Sequence, residues 1–200
     1  MFTCITVILS IRACFEGTGF NLKPGVARAS DRICLDGRNI GHDVVLIKNF
    51  IRACGSGGVL CTAPLVQNKS YFEVKVLQGG VWGVGVATRT SDLNRAPGGK
   101  DAESWVFSSD GSVRHNNTTV HPCLAEIPVE GDVVGVAYDH LELKFFLNGK
   151  PLENQVSGVK GTVYPALYVD EGAVLDFICD NFIHTPPSGF ESIMIEKSLL

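Results

Sequence analysis

The chain has 200 residues and a mass of 21.5 kDa, enough for one large domain whose core needs no staples. Apolar residues make up 45% and charged residues 19%, which excludes a compositionally disordered chain. The 22 Gly and 9 Pro interrupt the sequence too often for coiled coils or long bundles, since each inside a helix costs roughly 1 to 3 kcal/mol. Val outnumbers Ala by 23 to 12, which favours strands. The net charge is −4 and no dense cluster of Lys and Arg occurs, so nucleic acid is not an expected partner.

The first element is a ten-residue apolar run, Phe2 to Ile11, about half the length of a membrane span. No positive stretch precedes it and Arg12 follows, which argues against a signal peptide. Two readings stand. The run is a strand covering a sheet edge, or it is a membrane contact in which Cys4 or Cys14 is S-acylated. The seven cysteines include no C-x-x-C pair, and that spacing fits neither a zinc framework nor a secreted disulfide scaffold. A reduced, intracellular, cytoplasmic protein without metal or cofactor is expected.

Strand signals then recur at hairpin spacing. Val44 to Lys48 and Phe50 to Ala53 are followed by Gly55–Gly58, read as a turn, and by Val59 to Ala63. In Tyr71 to Leu77, Phe72, Val74 and Val76 face one way, and Glu73 and Lys75 face the other. In Val81 to Thr88, Trp82, Val84 and Val86 share a face while Gly83 and Gly85 leave the other bare. Glycine weakens a strand, so the bare face predicts a neighbouring side chain or an inward-turned loop packed against it. Val133 to Tyr138 turns through Asp139-His140 into Leu141 to Leu147, and Asn148-Gly149 is a strong hairpin signal. Thr162 to Val169 and Ala173 to Cys179 follow. About ten alternating strands predict an all-β fold of two antiparallel sheets around one core.

The strings YFEVKV (71–76), WGVGVAT (82–88), DAESW (101–105), DGSVRHNN (110–117), GDVVGVAYD (131–139), FFLNGK (145–150) and GTVYPALYV (161–169) resemble the SPRY domain family in order and spacing. The resemblance implies a bent β-sandwich of jelly-roll type over residues 42–180. Residues 1–41 would form a partly irregular N-terminal segment, and 181–200 a tail packed on the domain. It also implies recognition of a protein or peptide partner by a monomer, without catalysis. Phe72, Trp82, Val84, Trp105, Phe145 and Tyr164 match family positions, and their strand phase suits the core.

A sandwich gathers its connecting loops at its ends. The candidate loops are Arg89 to Ala102, Ser108 to Leu124, Lys150 to Lys160 and the turn Asp170-Glu171-Gly172. The residues expected to meet a partner are Arg89, Asn94, Arg95, Asp101, His115, Asn116, Asp170 and Glu171. In family members that hold Asn-rich peptides, one aromatic in the loop after GVAT and one Trp after the Tyr-Pro strand line the pocket. Here residues 89–103 contain no aromatic and Asp170-Glu171 holds the second position. Two carboxylates within reach of Arg89 or Arg95 point to a basic or amide-rich partner segment. The alternative is a structural subunit of a larger complex, such as a ubiquitin-ligase assembly, or a protein held at a membrane by its N-terminus. No RING or B-box zinc pattern precedes the domain, and the tail is unlike a SOCS box.

Enzyme signatures are missing. GVGVAT lacks the last Gly of a dinucleotide fingerprint and lies inside a strand. Gly99-Lys100 lacks the phosphate-loop spacing, and neither G-x-S-x-G nor H-E-x-x-H occurs. His115 and His121 have no acidic or Cys ligand at metal spacing.

Overall fold

The computed structural model describes residues 32–122 and 127–195. Phe2–Ile11, the acylation candidates Cys4 and Cys14, and Cys123 lie outside the described residues.

The described residues form fourteen strands in two sheets that share one strand. The first sheet runs, in spatial order, β8 (Thr118–His121), β7 (Val113–His115), β6 (Ser104–Ser108), β5 (Val81–Ala87), β12 (Tyr164–Asp170), β3 (Arg52–Cys61) and β1 (Leu35–Ile40). The second runs β2 (Asp43–Ile47), β3, β13 (Val174–Ile178), β4 (Ser70–Gln78), β9 (Val133–Tyr138), β10 (Glu142–Leu147) and β11 (Lys150–Ser157). Every pairing is antiparallel except that of the two-residue β14 (Glu191–Ser192), which runs parallel to the start of β4.

The strand common to both sheets corrects the sequence reading. Gly55–Gly58 is not a hairpin turn but the middle of β3, where the strand passes from one sheet to the other. Residues 52–56 pair with β2, and residues 57–60 pair with β12. Gly55 (φ 99°) and Gly57 (φ 126°) take backbone angles that side chains disfavour, and a bend between sheets needs them. The expected strand at Phe50–Ala53 starts only at Arg52, because Lys48, Asn49 and Phe50 all have positive φ and turn the chain. The Lys150–Lys160 loop is also corrected: residues 150–157 are β11, paired to β10 after a turn with positive φ at both Asn148 and Gly149. Most of the Ser108–Leu124 segment is the β7–β8 hairpin.

The core lies between the sheets. Phe72, Trp82, Val84, Trp105 and Phe145 are buried there. Phe107 contacts Trp82 at 6.1 Å and Phe145 at 5.7 Å between ring centroids, joining one layer to the other. Tyr164 is buried elsewhere, in a smaller cluster with Leu60, Ala87, Val106, Ala166 and Tyr168.

Glu73 lies on the face opposite Phe72, Val74 and Val76, as its alternation indicates. Its place in the alternation points away from the core, yet it is fully buried. The chain after β13 crosses this outer face. The N–H of Ile183 donates to Glu73 Oε2 at 2.6 Å, and that of His184 to Oε1 at 3.0 Å. The Tyr71 hydroxyl donates to Oε1 at 3.1 Å, and the Phe182 ring sits edge-on to Tyr71 at 4.9 Å. Further on, Gln67 donates to Ser192 O and accepts from the N–H of Met194. A buried carboxylate needs such partners, and besides Tyr71 Glu73 obtains them from residues more than a hundred positions away.

Truncating Trp82 to Ala should cost roughly 3 to 5 kcal/mol of stability. Thermal melts run beside any binding assay should show that lost binding in this variant follows unfolding.

Candidate recognition surface

Residues 88–103 connect β5 to β6, and the glycines beneath them decide their path. In the first sheet Tyr168 of β12 stands between Gly58 of β3 and Gly83 of β5. A Cβ on Gly58 would come within 2.5 Å of the Tyr168 ring, and one on Gly83 would collide with the carbonyl of Pro97. The bare positions form a trough with one tyrosine in its floor, and the loop lies in it as a strap. Gly98 packs against the Tyr168 ring, and the carbonyl of Leu93 accepts from the N–H of Gly58 at 2.6 Å. The object on the bare glycine face of β5 is thus loop backbone at Gly83; at Gly85 it is the adjoining backbone of β6, at Trp105.

Two polar anchors hold the strap. The Tyr168 hydroxyl lies 3.0 Å from Ser91 Oγ, and its burial pushes the phenol pKa up to about 12. Asp101 is the other. Its Oδ2 accepts from the Asp92 N–H (2.7 Å) and the Ser91 hydroxyl (3.0 Å). Its Oδ1 accepts from the Ser104 hydroxyl (2.7 Å) and the Glu103 N–H (3.0 Å). Burial by itself would raise the Asp101 carboxyl, but these hydrogen bonds outweigh it and hold the pKa below the usual value. The carbonyls of Asp101 and Gly99 accept from the N–H groups of Asn116 and Asn117 in the β7–β8 turn, both at 2.8 Å.

The eight sequence-predicted contact residues fall into two groups at opposite ends of the first sheet. Arg89, Asp101, His115 and Asn116 lie where Ala87 pairs with Tyr164 and with Ser104. There Arg89 covers the Tyr164 ring at 4.9 Å, and His115 stacks on Trp105 at 4.5 Å while donating from Nδ1 to the carbonyl of Ser104. Asp170 and Glu171 lie at the other end, where Asp170 pairs with Val81. Six strand steps separate the ends, about 20 Å, so Arg89 is not within reach of these carboxylates.

The strap tip lies beside β3 and the residues between β1 and β2. Asn94 Oδ1 lies 3.0 Å from the backbone nitrogen and 2.8 Å from ring Nδ1 of His42, and Arg95 pairs with Asp92 at 3.1 Å. Asp170 Oδ1 accepts from the N–H of Glu171, which has φ 48° and is exposed. The second end thus carries the carboxylates of Asp170 and Glu171, whereas Asp92, whose N–H donates to Asp101, stays with the strap. Tyr168 and Ser91, which set the strap in place, were missed by sequence reasoning; the glycines on either side of Tyr168 were the available signal.

A sandwich with shared strand, bent sheets and loops fixed on one face defines a class of recognition domain, and the comparisons name it. The SPRY domain model matches residues 69–182, and this chain belongs to the SPRY domain family. It is 45% identical over 195 residues to SPRY domain-containing protein 7 of Homo sapiens, covering 97% of this chain and 98% of that protein. With the protein of the same name from Mus musculus it is 51% identical over 166 residues, covering 82% and 85%. Among solved structures, the SPRY domain of human HERC1 superposes with a TM-score of 0.61 at 14% identity, covering 74% of this chain and 99% of that one. The TRIM65 PSpry domain gives 0.59 at 16%, covering 76% and 92%. These two show the fold alone. The family is one of protein-interaction modules, and no enzyme family is indicated.

Because Asp101 has its pKa lowered in the fold, its contribution to stability is present above the unfolded-state pKa of about 4 and is lost as pH falls through the folded value. Asp101→Asn should therefore flatten the acid side of the melting-temperature profile. It should also speed tryptic cleavage at Arg95 and Lys100 in the strap, as read by limited proteolysis at neutral pH.

Proposed function

We propose that the chain is a non-catalytic recognition domain that grips a basic or amide-rich protein segment at the end carrying Asp170 and Glu171. The observation that carries this is the placement of those two carboxylates on a tight turn closed by the N–H of Glu171 donating to Asp170 Oδ1 and that of Ala173 to the Asp170 carbonyl. A site ordered before its ligand arrives gives up little entropy on binding, and a surface of one sign both steers and selects an oppositely charged partner. The thiols support an intracellular setting. Among the described residues Cys34, Cys54, Cys61 and Cys179 are all unpaired. Burial raises Cys61 to about 12 and Cys179 to about 11, so both are poor nucleophiles.

The test is a pull-down from cell lysate with the wild-type chain beside the Asp170→Ala, Glu171→Ala double variant. Partners recovered by the wild type should be lost by the variant while its melting temperature stays within a few degrees. Unchanged recovery would remove the acidic end from the site.

A further inference from the structure

Two turns cross the end of the sandwich that carries Asp170 and Glu171, and each joins one sheet to the other. Residues 78–81 lead from β4 of the second sheet to β5 of the first, and residues 170–174 lead from β12 of the first to β13 of the second. Their ends are paired. Val81 stands opposite Asp170 in the first sheet, and Gln78 opposite Val174 in the second, so the turns lie side by side. Gly80, with φ 144°, is where they touch. A Cβ there would come within 2.6 Å of the Ala173 nitrogen, 2.7 Å of the Glu171 carbonyl oxygen and 2.8 Å of the Asp170 carbonyl oxygen. All three are backbone atoms of the acidic turn, so none can swing aside as the tip of a side chain would. Gly79 differs: a Cβ on it would meet nothing within 4 Å.

The acidic turn contains a strained residue that needs such support. Glu171 takes φ 48°, a left-handed angle that is uncommon for residues other than glycine and is found chiefly with Asn, Asp and His. Strained backbone persists where its surroundings over-determine it. Here the Glu171 N–H donates to Asp170 Oδ1 at 2.9 Å, and the Ala173 N–H to the Asp170 carbonyl at 3.0 Å. Those two supports lie within the turn. The third comes from another part of the chain, where the carbonyls of Asp170 and Glu171 rest on Gly80.

We infer that Gly80 is the positioning residue of the recognition site. By leaving its Cβ position empty, it lets the β4–β5 turn seat the carbonyls of Asp170 and Glu171, and so fixes where their carboxylates point. The inference rests on the reading of these two carboxylates as the groups that grip a basic or amide-rich segment. Any larger residue at 80 pushes the two turns apart. The pairing of Val81 with Asp170 and of Gln78 with Val174 still joins the strands below, so the displacement is confined to the turn. The result is a domain whose acidic groups are present but no longer ordered in advance, and such a site gives up more entropy when its ligand arrives.

The test compares the full-length wild type with Gly80→Ala, with Gly79→Ala and with the Asp170→Ala, Glu171→Ala double variant. Each is titrated with a fluorescein-labelled peptide of alternating Arg and Asn, at a temperature where circular dichroism shows the chain folded. Amide NMR spectra are recorded beside the titrations. Gly80→Ala should lose most of the wild-type binding and shift the amide signals of residues 170–173, while the indole signal of Trp105 stays in place. Gly79→Ala should bind as the wild type does. If Gly80→Ala binds undiminished, if Gly79→Ala loses as much, or if the shifts spread through the core, the inference alone is overturned. If Gly80→Ala does not fold, the wild type decides: a nuclear Overhauser contact between the Gly80 α-protons and the Ala173 amide proton is expected, and its absence overturns the inference. A wild type that ignores the peptide, or a double variant that still binds it, removes the reading of the acidic turn itself.

Discussion

The contact between Tyr168 and the two glycines that flank it governs the first sheet. Gly58 and Gly83 remove the side chains that would otherwise stand beside the ring, and the strap fills the space they leave. Without that trough, residues 88–103 would be a long excursion with little reason to adopt one conformation. With it, Leu93, Pro97 and Gly98 lie against the sheet, and Asp101 closes the loop on its own backbone. The conformation of the strap is thus a product of packing in the sheet below it.

The second sheet solves the same problem with the opposite chemistry. Its outer face is covered by the chain that follows β13, and the attachment is a buried carboxylate in place of bare glycines. Glu73 receives the backbone N–H groups of Ile183 and His184, while Gly135 on the next strand leaves room for the Tyr71 ring and hydroxyl. Next to it, Asp176 is held by Arg52 at 2.6 Å and by Lys48 at 3.1 Å. Burial would raise its carboxyl, but the two cations bring it below the usual value. Both sheets therefore have irregular backbone on their outer faces, and in both the anchor is set by residues whose alternation places them away from the core.

That arrangement explains which parts of the molecule were legible in sequence. The strands of the hairpins were legible because side chains alternate with period two and Asn148-Gly149 marks its turn without tertiary help. The bare face of β5 was legible because two glycines in a strand cost stability that something must offset. Gly55–Gly58 misled because a glycine cluster serves a turn and a bend between sheets equally well. The face of Glu73 was legible from alternation, but its burial was not, because only the distant Ile183 and His184 say whether that face meets water. Six of the candidate contact residues lie in connecting segments, whereas His115 and Asp170 end strands; Arg89 follows β5 and Asp170 ends β12 at the opposite end of that strand pair, and only the register reveals this.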